Sequence, residues 1–326
     1  MPRERWSLAV RSLDATLAVL PSGTQLVYVD GGSPADIRDQ LKDRVTGYGG
    51  LFVHRQCVLA PNEARNLGLA ECDRDYVIVH DNDIFPRPGW AEALVQCADE
   101  TNAGMVGPLV FHGFSPDVNE IHIAGGEIAV DDAGVMIRND RFHSHQQLSD
   151  LPTPLERAPT SQIEYHSCLF RREAIQPLLP LDEEIRSMAD HEDVTMAIAD
   201  LGYPLMFEPT SEVAYLLMQR IDPIDRGFWQ LRWSNDWNRR SLDRFCSKWE
   251  LARDRGWPEL AERWAAGHRS WWMHGNNRFS TMAGRALRRA ARNPWTSRPA
   301  RIFDEMVLSR DGRRERQRRV QHLGRA

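Results

Sequence analysis

The chain has 326 residues, of which 42% are hydrophobic and 27% are charged, and its formal net charge at pH 7 is -5. These values are typical of a globular protein with one large domain and an appendage, or with two domains. They exclude a chain too short or too polar to bury a core, and the net charge gives no indication of a nucleic-acid partner.

The first part of the chain alternates helices with short apolar strands. Apolar side chains recur with helical spacing from Trp6 to Leu20, and the strand QLVYVD then ends at Asp30. The strands GLFVHR, DYVIVH and GMVGPLVF follow, separated by the helices ADIRDQLKDRV, NEARNLGLAEC and GWAEALVQCADE. This order predicts βαβ units in a largely parallel sheet, which binds ligands beyond the carboxyl ends of its strands.

The middle of the chain is less regular. EIHIAGGEIAVDDAGVMIR predicts short strands or a hairpin, and SDLPTPLERAPTSQ predicts a surface loop. IEYHSCLFRREAI is typical of a strand that runs into a helix. A further helix is expected from about His191 to Leu201, capped by Asp190, ended by Gly202 and followed by the strand PLMFEP.

The character of the chain changes after about Asp225, where tryptophan-rich helical segments begin. We expect an α/β domain over residues 1–215 and a helical region over residues 216–326. The tail from RALRRAARNPW to RRERQRRVQHLGRA is rich in arginine. A solvated helix or frayed terminus is the simplest interpretation, and peripheral contact with an anionic membrane surface is the alternative.

The five cysteines are scattered and include no CxxC pair, which argues against a disulfide framework. A reducing, cytoplasmic location is expected, with the tail allowing a peripheral position on the cytoplasmic membrane face. No apolar run approaches the ~20 residues that span a bilayer, and MPRERWSLAV lacks the apolar region of a signal peptide.

Two carboxylates follow the strand DYVIVH at one point of the chain. Asp81 and Asp83 flank Asn82 in the motif HDND. On an irregular loop, both side chains can bind one hard cation, Mg²⁺ or Mn²⁺, which keeps positions open for substrate phosphates. A solvent-facing turn is the alternative, since Asp and Asn are common turn residues.

Five features in this order resemble the family 2 glycosyltransferases of the GT-A fold, in the nucleotide-diphospho-sugar transferase superfamily. They are Asp30 with the following GGS, the NEARNLG helix, the HDND strand end, the HED helix and the LGY after it. The resemblance covers roughly residues 6–210. It implies a Rossmann-like GT-A domain with a mostly parallel central sheet flanked by helices. It also implies an inverting, hexosyltransferase-like enzyme that moves a sugar from a nucleoside-diphosphate donor to a hydroxyl acceptor of unknown class.

The resemblance assigns roles on the donor side of the site. Asp30 would contact the base or ribose, and Arg65 would lie near the nucleotide pocket. Asp81 and Asp83 would hold Mn²⁺ or Mg²⁺ on the donor diphosphate, with Asp81 closer to the sugar and ribose. The alternatives are a turn aspartate at Asp30 and, for Arg65, an ion pair that joins its helix to the sheet.

The resemblance also assigns roles on the acceptor side. Asp193 would be the base that takes the proton of the acceptor hydroxyl, and Glu192 would help it or bind the acceptor. Acidic residues are also ordinary in the first turn of a helix, where the dipole stabilises the anion and weakens it as a base. His191, Tyr165 and His166 are weaker candidates for acceptor contacts.

The chain departs from the family pattern in three places. The family begins with a central apolar strand where this chain has MPRER, so we expect such a strand, about ten residues long, upstream of Met1. EPTSEVAYLLMQRIDP lacks the histidine that many relatives supply to the metal, and Thr195 stands where an aspartate is frequent.

Two other functions remain open at this point. One is a sugar nucleotidyltransferase, and the other is a non-catalytic relative that binds a nucleotide sugar or glycan. A dinucleotide-dependent dehydrogenase is disfavoured, because VDGGSPAD does not match the GxGxxG pattern.

Overall fold

The computed structural model describes residues 1–113, 115–139, 142–216, 221–275 and 310–324. The helices are α1 (Trp6–Val19), α2 (Ala35–Tyr48), α3 (Pro61–Ala70), α4 (Trp90–Thr101), α5 (Arg172–Ile175), α6 (Asp190–Asp200), α7 (Arg226–Arg232), α8 (Asn235–Lys248), α9 (Trp257–Gly275) and α10 (Arg310–Leu323). The strands are β1 (Val27–Gly31), β2 (Leu51–Arg55), β3 (Tyr76–His80), β4 (Ile84–Pro86), β5 (Met105–Gly113), β6 (Ile121–Ile123), β7 (Glu127–Val130), β8 (Met136–Asn139), β9 (Ala158–Pro159), β10 (Ser167–Arg171) and β11 (Leu205–Leu216).

The central sheet has the strand order β3-β10-β5-β11-β4. β5 and β11 are parallel, and β3 shares their direction because β10 is antiparallel to both β3 and β5. β4 is antiparallel to β11, and β1 and β2 form a separate parallel pair. The predicted α/β architecture, a central sheet flanked by helices, is confirmed. Its strand directions are mixed, because β10 and β4 run against the other strands.

A cleft of about 810 Å³ separates β1 from the central sheet. Val27 and Tyr28 of β1 line one wall, and Val77 and Val79 of β3 line the other. Among the described residues no strand pairs with both β1 and β3. The strand expected upstream of Met1 stays a prediction.

The irregular middle segment folds largely as the sequence predicts. β7 and β8 form an antiparallel hairpin, and β6 pairs with β5. The predicted surface loop contains a short 3-10 turn and the two-residue strand β9, which pairs with β11. β10 runs directly into α5, as predicted.

Helix α6 begins one residue earlier than predicted. Asp190 is its first helical residue, and the N-cap position belongs to Ala189, which has a φ of 70°. The prediction that Asp190 caps the helix is therefore wrong, because its carboxylate accepts a hydrogen bond from Arg65 instead. Gly202 follows the helix with a positive φ, as its predicted terminator should.

Helices α7 to α10 confirm the helical C-terminal region. One hydrophobic cluster joins Ile185 and Met188 of the preceding segment to Trp229, Leu242 and Phe245 of these helices. The two regions thus share a core, and the boundary at residue 215 stays a prediction. In the described part of the chain, no helix is long and apolar enough to cross a membrane. The arginine-rich stretch before α10 lies outside the described residues.

Helix α10 is attached to the rest of the protein by a buried arginine. Arg319 donates hydrogen bonds to both carboxylate oxygens of Glu63, at 2.7 and 2.8 Å, and to the carbonyl of Val58. Its guanidinium also lies 4.7 Å from the ring centroid of Trp237. Part of the basic tail is therefore a docked structural element.

Candidate active site

The DND loop is buried against residues 1–5, which we call the N-terminal arm. Nε of Arg3 lies 2.9 Å from Oδ2 of Asp81, and Nη1 of Arg5 lies 3.7 Å from Oδ2 of Asp83. The backbone N–H of Asn82 donates to the carbonyl of Met1 at 3.0 Å. The end of β3 thus aims both aspartates into one charged cluster, and arginine cations lie beside them.

The oxygen atoms of this loop fit a divalent cation. Oδ1 of Asp83 is buried and accepts no hydrogen bond in the described part of the protein, and Oδ2 of Asp81 is buried and meets Arg3 without the geometry of a hydrogen bond. Burial raises the pKa of the Asp81 carboxyl; Arg3 opposes this shift, and Asp83 adds to it. Carboxylate oxygens with unused lone pairs are the ligands that Mg²⁺ and Mn²⁺ prefer. The residues fit the metal, provided that Arg3 moves away from Asp81.

Arg65 joins helices α3 and α6. Its Nη1 donates to Oδ2 of Asp190 at 2.7 Å and to Oδ1 of Asn62 at 2.9 Å, and its guanidinium lies 4.1 Å from the ring centroid of Tyr165. Burial would raise the pKa of Asp190, but His191 and Arg65 hold it below its ordinary value. These contacts favour the ion-pair interpretation of Arg65.

The start of α6 belongs to the same charged cluster as the DND loop. Burial alone would lower the pKa of Arg3, but Asp81 and Asp190 are among the carboxylates that raise it above its ordinary value. Arg65 also interacts electrostatically with Asp81. The cluster therefore brings together Arg65, Asp81, Asp83 and Asp190 of α6.

The carboxylate of Glu192 contacts Arg138 rather than Arg3, Arg5 or Arg65. Its Oε1 accepts a hydrogen bond from Nη1 of Arg138, and Nε2 of Gln162 lies 3.4 Å away. The residue is 1% exposed. Burial raises the pKa of Glu192 to about 7, although Arg138 opposes the shift. A carboxyl group with a pKa near neutrality can exchange a proton at physiological pH.

Asp193 faces the C-terminal helices. Its Oδ1 lies 2.8 Å from Nζ of Lys248 and accepts a hydrogen bond from Nε1 of Trp249 at 2.8 Å. It lines a separate groove together with Leu181 and Arg244. Glu192 and Asp193 are consecutive residues of α6, but their side chains contact different cations. Glu192 contacts Arg138, and Asp193 contacts Lys248.

The three weaker acceptor-side candidates lie near this first turn. Tyr165 packs against His191 with ring centroids 4.9 Å apart, and its hydroxyl makes no hydrogen bond with any described residue. Burial lowers the pKa of His191 to about 3, so its imidazole is neutral at pH 7. Nε2 of His166 lies 3.0 Å from Oε2 of Glu164.

Asp30 lies at the carboxyl end of β1, across the cleft from β3. It is buried, and Nδ1 of His54 on β2 lies 2.7 Å from its Oδ2. The position beyond a strand end agrees with a nucleotide contact. Its imidazole partner also gives it a structural role between two strands.

Sequence reasoning missed several residues of this cluster. Arg3 and Arg5 lie in the arm, to which the sequence assigned no site residue, and Asp190 was interpreted as a helix cap. Arg138 and Glu164 are joined by a 2.7 Å ion pair between segments that no motif connects. The one available signal was Glu164, which directly precedes the candidate pair Tyr165-His166.

Two solved structures share this fold. The crystal structure of GalNAc-T7 with UDP, GalNAc and Mn²⁺ has a TM-score of 0.52 and 15% identity, and the match covers 86% of this chain and 56% of that one. The mannosyltransferase PcManGT from Pyrobaculum calidifontis, in complex with GDP-Man and Mn²⁺, has a TM-score of 0.50 and 16% identity. That match covers 94% of this chain and 85% of PcManGT.

Curated relatives and a family profile match the N-terminal part of the chain. The pre-mycofactocin glycosyltransferases of two Mycobacterium tuberculosis strains are 27% identical over 195 residues, 59% of this chain. The matched region spans 37% of the length of those relatives. The profile described as "Glycosyl transferase family 2" matches residues 3–176, just over half of the chain. The chain therefore belongs to glycosyl transferase family 2, and its α/β domain has the GT-A fold.

Proposed function

We propose that this protein transfers a sugar from a nucleoside-diphosphate donor to a hydroxyl acceptor, in a metal-dependent reaction that inverts the anomeric carbon. The observation that carries the proposal is the pair of buried carboxylates, Asp81 and Asp83, directly after β3, in which Oδ1 of Asp83 accepts no hydrogen bond from the described residues. The related structures support a donor of this class, since GalNAc-T7 was solved with UDP, GalNAc and Mn²⁺, and PcManGT with GDP-Man and Mn²⁺.

In this proposal Asp81 and Asp83 hold Mn²⁺ or Mg²⁺. When bound, the metal neutralises charge on the leaving diphosphate. The guanidinium groups of Arg3 and Arg5 lie beside the same carboxylates. Arginine binds phosphate oxygens with the geometry it uses for carboxylates, so both side chains can move from the aspartates to the diphosphate. Asp30 would contact the base or ribose from the far side of the cleft.

We assign the general base to Glu192. Its pKa of about 7 lets it accept a proton at neutral pH, and Arg138 holds its carboxylate in place. The family resemblance favours Asp193, but the carboxylate of that residue is held by Lys248 and Trp249. Asp193 would then position the first turn of α6, with His191 and Tyr165 on the acceptor side.

A product assay tests the proposal against its alternatives. The protein is incubated with UDP- and GDP-sugars, Mn²⁺ and a set of hydroxyl acceptors, and the nucleotide product is identified. Release of nucleoside diphosphate together with an inverted glycoside supports the proposal. Release of pyrophosphate in a parallel incubation with UTP or GTP and a sugar 1-phosphate would indicate a nucleotidyltransferase, and donor binding without turnover on any acceptor would indicate a binding relative.

The membrane contact proposed for the arginine-rich tail has its own test. The tail should increase binding of the full chain to vesicles with anionic lipid over neutral vesicles, and salt should weaken that binding. Equal binding to both vesicle types would contradict it.

A further inference from the structure

A second set of metal-ligand side chains lies beside the DND loop. His122 on β6, Glu164 and His166 each offer one ligand atom, and these atoms lie within 4.8 Å of one another. Two imidazoles and one carboxylate suit a transition metal such as Zn²⁺ better than Mg²⁺. This donor set is chemically distinct from the all-oxygen set of Asp81 and Asp83.

The distances in this set are close to those of a formed site. Oε2 of Glu164 lies 3.0 Å from Nε2 of His166 and 3.8 Å from Nε2 of His122. With Zn–N bonds of ~2.0–2.1 Å, ligand atoms around a tetrahedral zinc are about 3.4 Å apart. The two measured distances lie on either side of that value, so small side-chain movements would complete the coordination.

His166 supplies an independent observation. It is 7% exposed, its Nδ1 makes no hydrogen bond in the described protein, and its Nε2 faces Oε2 of Glu164 at 3.0 Å without the geometry of a hydrogen bond. Buried polar atoms that are not satisfied by hydrogen bonds are uncommon and call for an explanation such as a bound ion. A cation bound by both Nε2 of His166 and Oε2 of Glu164 would explain why these two atoms approach closely without that geometry.

The surroundings of Glu164 also suit a ligand. Its Oε1 accepts a hydrogen bond from Arg138 at 2.7 Å, which leaves Oε2 facing the imidazoles. Carboxylates that bind metals are commonly oriented in this way by a hydrogen bond to the other oxygen. The ring of Tyr215 packs on His166 at a centroid distance of 4.6 Å and fixes its plane.

A route for the cation leads from the surface to this set. His112, Glu120 and His145 form a second, more exposed cluster of ligand atoms. The side chain of His145 is 63% exposed, and the ring centroid of His112 lies 4.5 Å from that of His122. Side chains with potential ligand atoms therefore extend from solvent to the buried set.

We propose that His122, Glu164 and His166 form a binding site for one divalent transition-metal ion of the Zn²⁺ class, separate from the DND site. Three protein ligands leave at least one coordination position for water or another ligand. The carbonyl of His166 accepts a hydrogen bond from the N–H of Asp81 at 3.1 Å. An ion held by His166 would thus stabilise the backbone that carries the DND loop.

Zinc binding to the full chain, without nucleotide, tests this site. The ion-free protein is titrated with Zn²⁺ in competition with a chromophoric chelator, and retained metal is measured after dialysis. We expect one Zn²⁺ per chain at this site. His122→Asn and His166→Asn should each weaken Zn²⁺ binding by about 100-fold or more, because each removes a ligand. Removal of a hydrogen-bond partner of a ligand already weakens metal binding by ~10–100-fold. Zn²⁺ should also raise the melting temperature of the wild type more than that of His166→Asn.

Three further variants test whether zinc binds at this site rather than elsewhere in the protein. Glu164→Gln keeps the size of the side chain and removes its charge. If a histidine variant fails to fold, Glu164→Gln takes its place in the titration. His322→Asn alters an exposed histidine on α10 and should bind zinc like the wild type. Asp83→Asn should retain the zinc. Equal affinity in wild type, His166→Asn and Glu164→Gln, or loss of the zinc in Asp83→Asn alone, would overturn the proposal.

Discussion

Nε of Arg3 lies 2.9 Å from Oδ2 of Asp81, and both side chains are buried. The arm thus puts a cation where the proposed metal would bind. A buried ion pair is stabilised by its geometry, and removing one partner costs ~3–5 kcal/mol because the other charge stays buried. Arg3 and a divalent cation therefore compete for the same carboxylate.

Replacing Arg3 should strengthen metal binding. In Arg3→Gln, Asp81 loses its cation, so Mn²⁺ should bind at least about tenfold more tightly. This gain in binding free energy, about 1.4 kcal/mol, is smaller than the ~3–5 kcal/mol cost of leaving a buried charge unpaired. Calorimetric titration with Mn²⁺ measures this. Arg38→Gln removes an exposed arginine paired with Asp39 and serves as the control. Weaker Mn²⁺ binding in Arg3→Gln than in this control would argue against competition.

Asp83 should be required for metal-dependent donor binding. Asp83→Asn keeps the shape of the side chain but removes the charge that attracts the cation, so Mn²⁺ should no longer increase donor affinity. A thermal-shift screen of UDP- and GDP-sugars with and without Mn²⁺ measures the effect. Asp39→Asn, on the exposed face of α2, should behave like the wild type. An intact Mn²⁺ effect in Asp83→Asn would exclude Asp83 as a ligand.

Glu192 and Asp193 should differ in kinetics. Glu192→Gln should lower kcat by at least about 100-fold and leave donor affinity unchanged, because general-base catalysis contributes ~10²–10⁴-fold. Asp193→Asn should retain most of kcat and lose stability, since its contacts with Lys248 and Trp249 weaken. Steady-state kinetics and urea unfolding of both variants separate the two roles. The opposite pattern would return the base to Asp193.

Activity should depend on pH through Glu192. Burial raises the pKa of its carboxyl to about 7, and only the deprotonated form accepts a proton. The value of kcat/KM should therefore fall as the pH is lowered through about 7, tenfold per pH unit at the acidic end. Rates measured between pH 5 and 9 at saturating Mn²⁺ test this. A flat profile across that range would contradict the assignment.

Helix α10 should depend on Arg319. In Arg319→Met the carboxylate of Glu63 stays buried without its bidentate partner, so the free energy of unfolding should fall by ~3–5 kcal/mol. Arg263→Met on α9 is the control, because the side chains of Arg263 and its partner Glu259 are both exposed, at 71% and 39%. Such surface pairs contribute about 0–1 kcal/mol. Urea denaturation of both variants compares them, and equal stability would exclude a structural role for the Arg319 pair.

Local patterns predicted most of the α/β domain. Helix α1, strand β3 and helix α4 each follow from the spacing of apolar side chains within one segment. The reversed direction of β10 and β4 could not be predicted in this way, because strand direction depends on pairing between distant segments. Strand β4 was not predicted, since Ile84–Pro86 directly precedes a proline-rich turn.

The site was predictable only where its residues follow strand ends or helix starts. Asp81 and Asp83 were selected as candidates because the carboxyl ends of strands collect ligands. Arg138 and Glu192 are 54 positions apart in the sequence, and no sequence pattern predicts their contact. The different surroundings of Glu192 and Asp193 also depend on where the C-terminal helices pack, which the order of motifs does not specify.

The most direct test of the central claim is a calorimetric titration of the wild type and Asp83→Asn with UDP and GDP, in Mn²⁺ and in EDTA. We predict that the wild type binds at least one of the two nucleotides much more tightly in Mn²⁺ than in EDTA, and that Asp83→Asn shows no such difference. Absence of nucleotide binding to the folded wild type in Mn²⁺, or binding that Mn²⁺ and Asp83→Asn leave unchanged, would contradict the account.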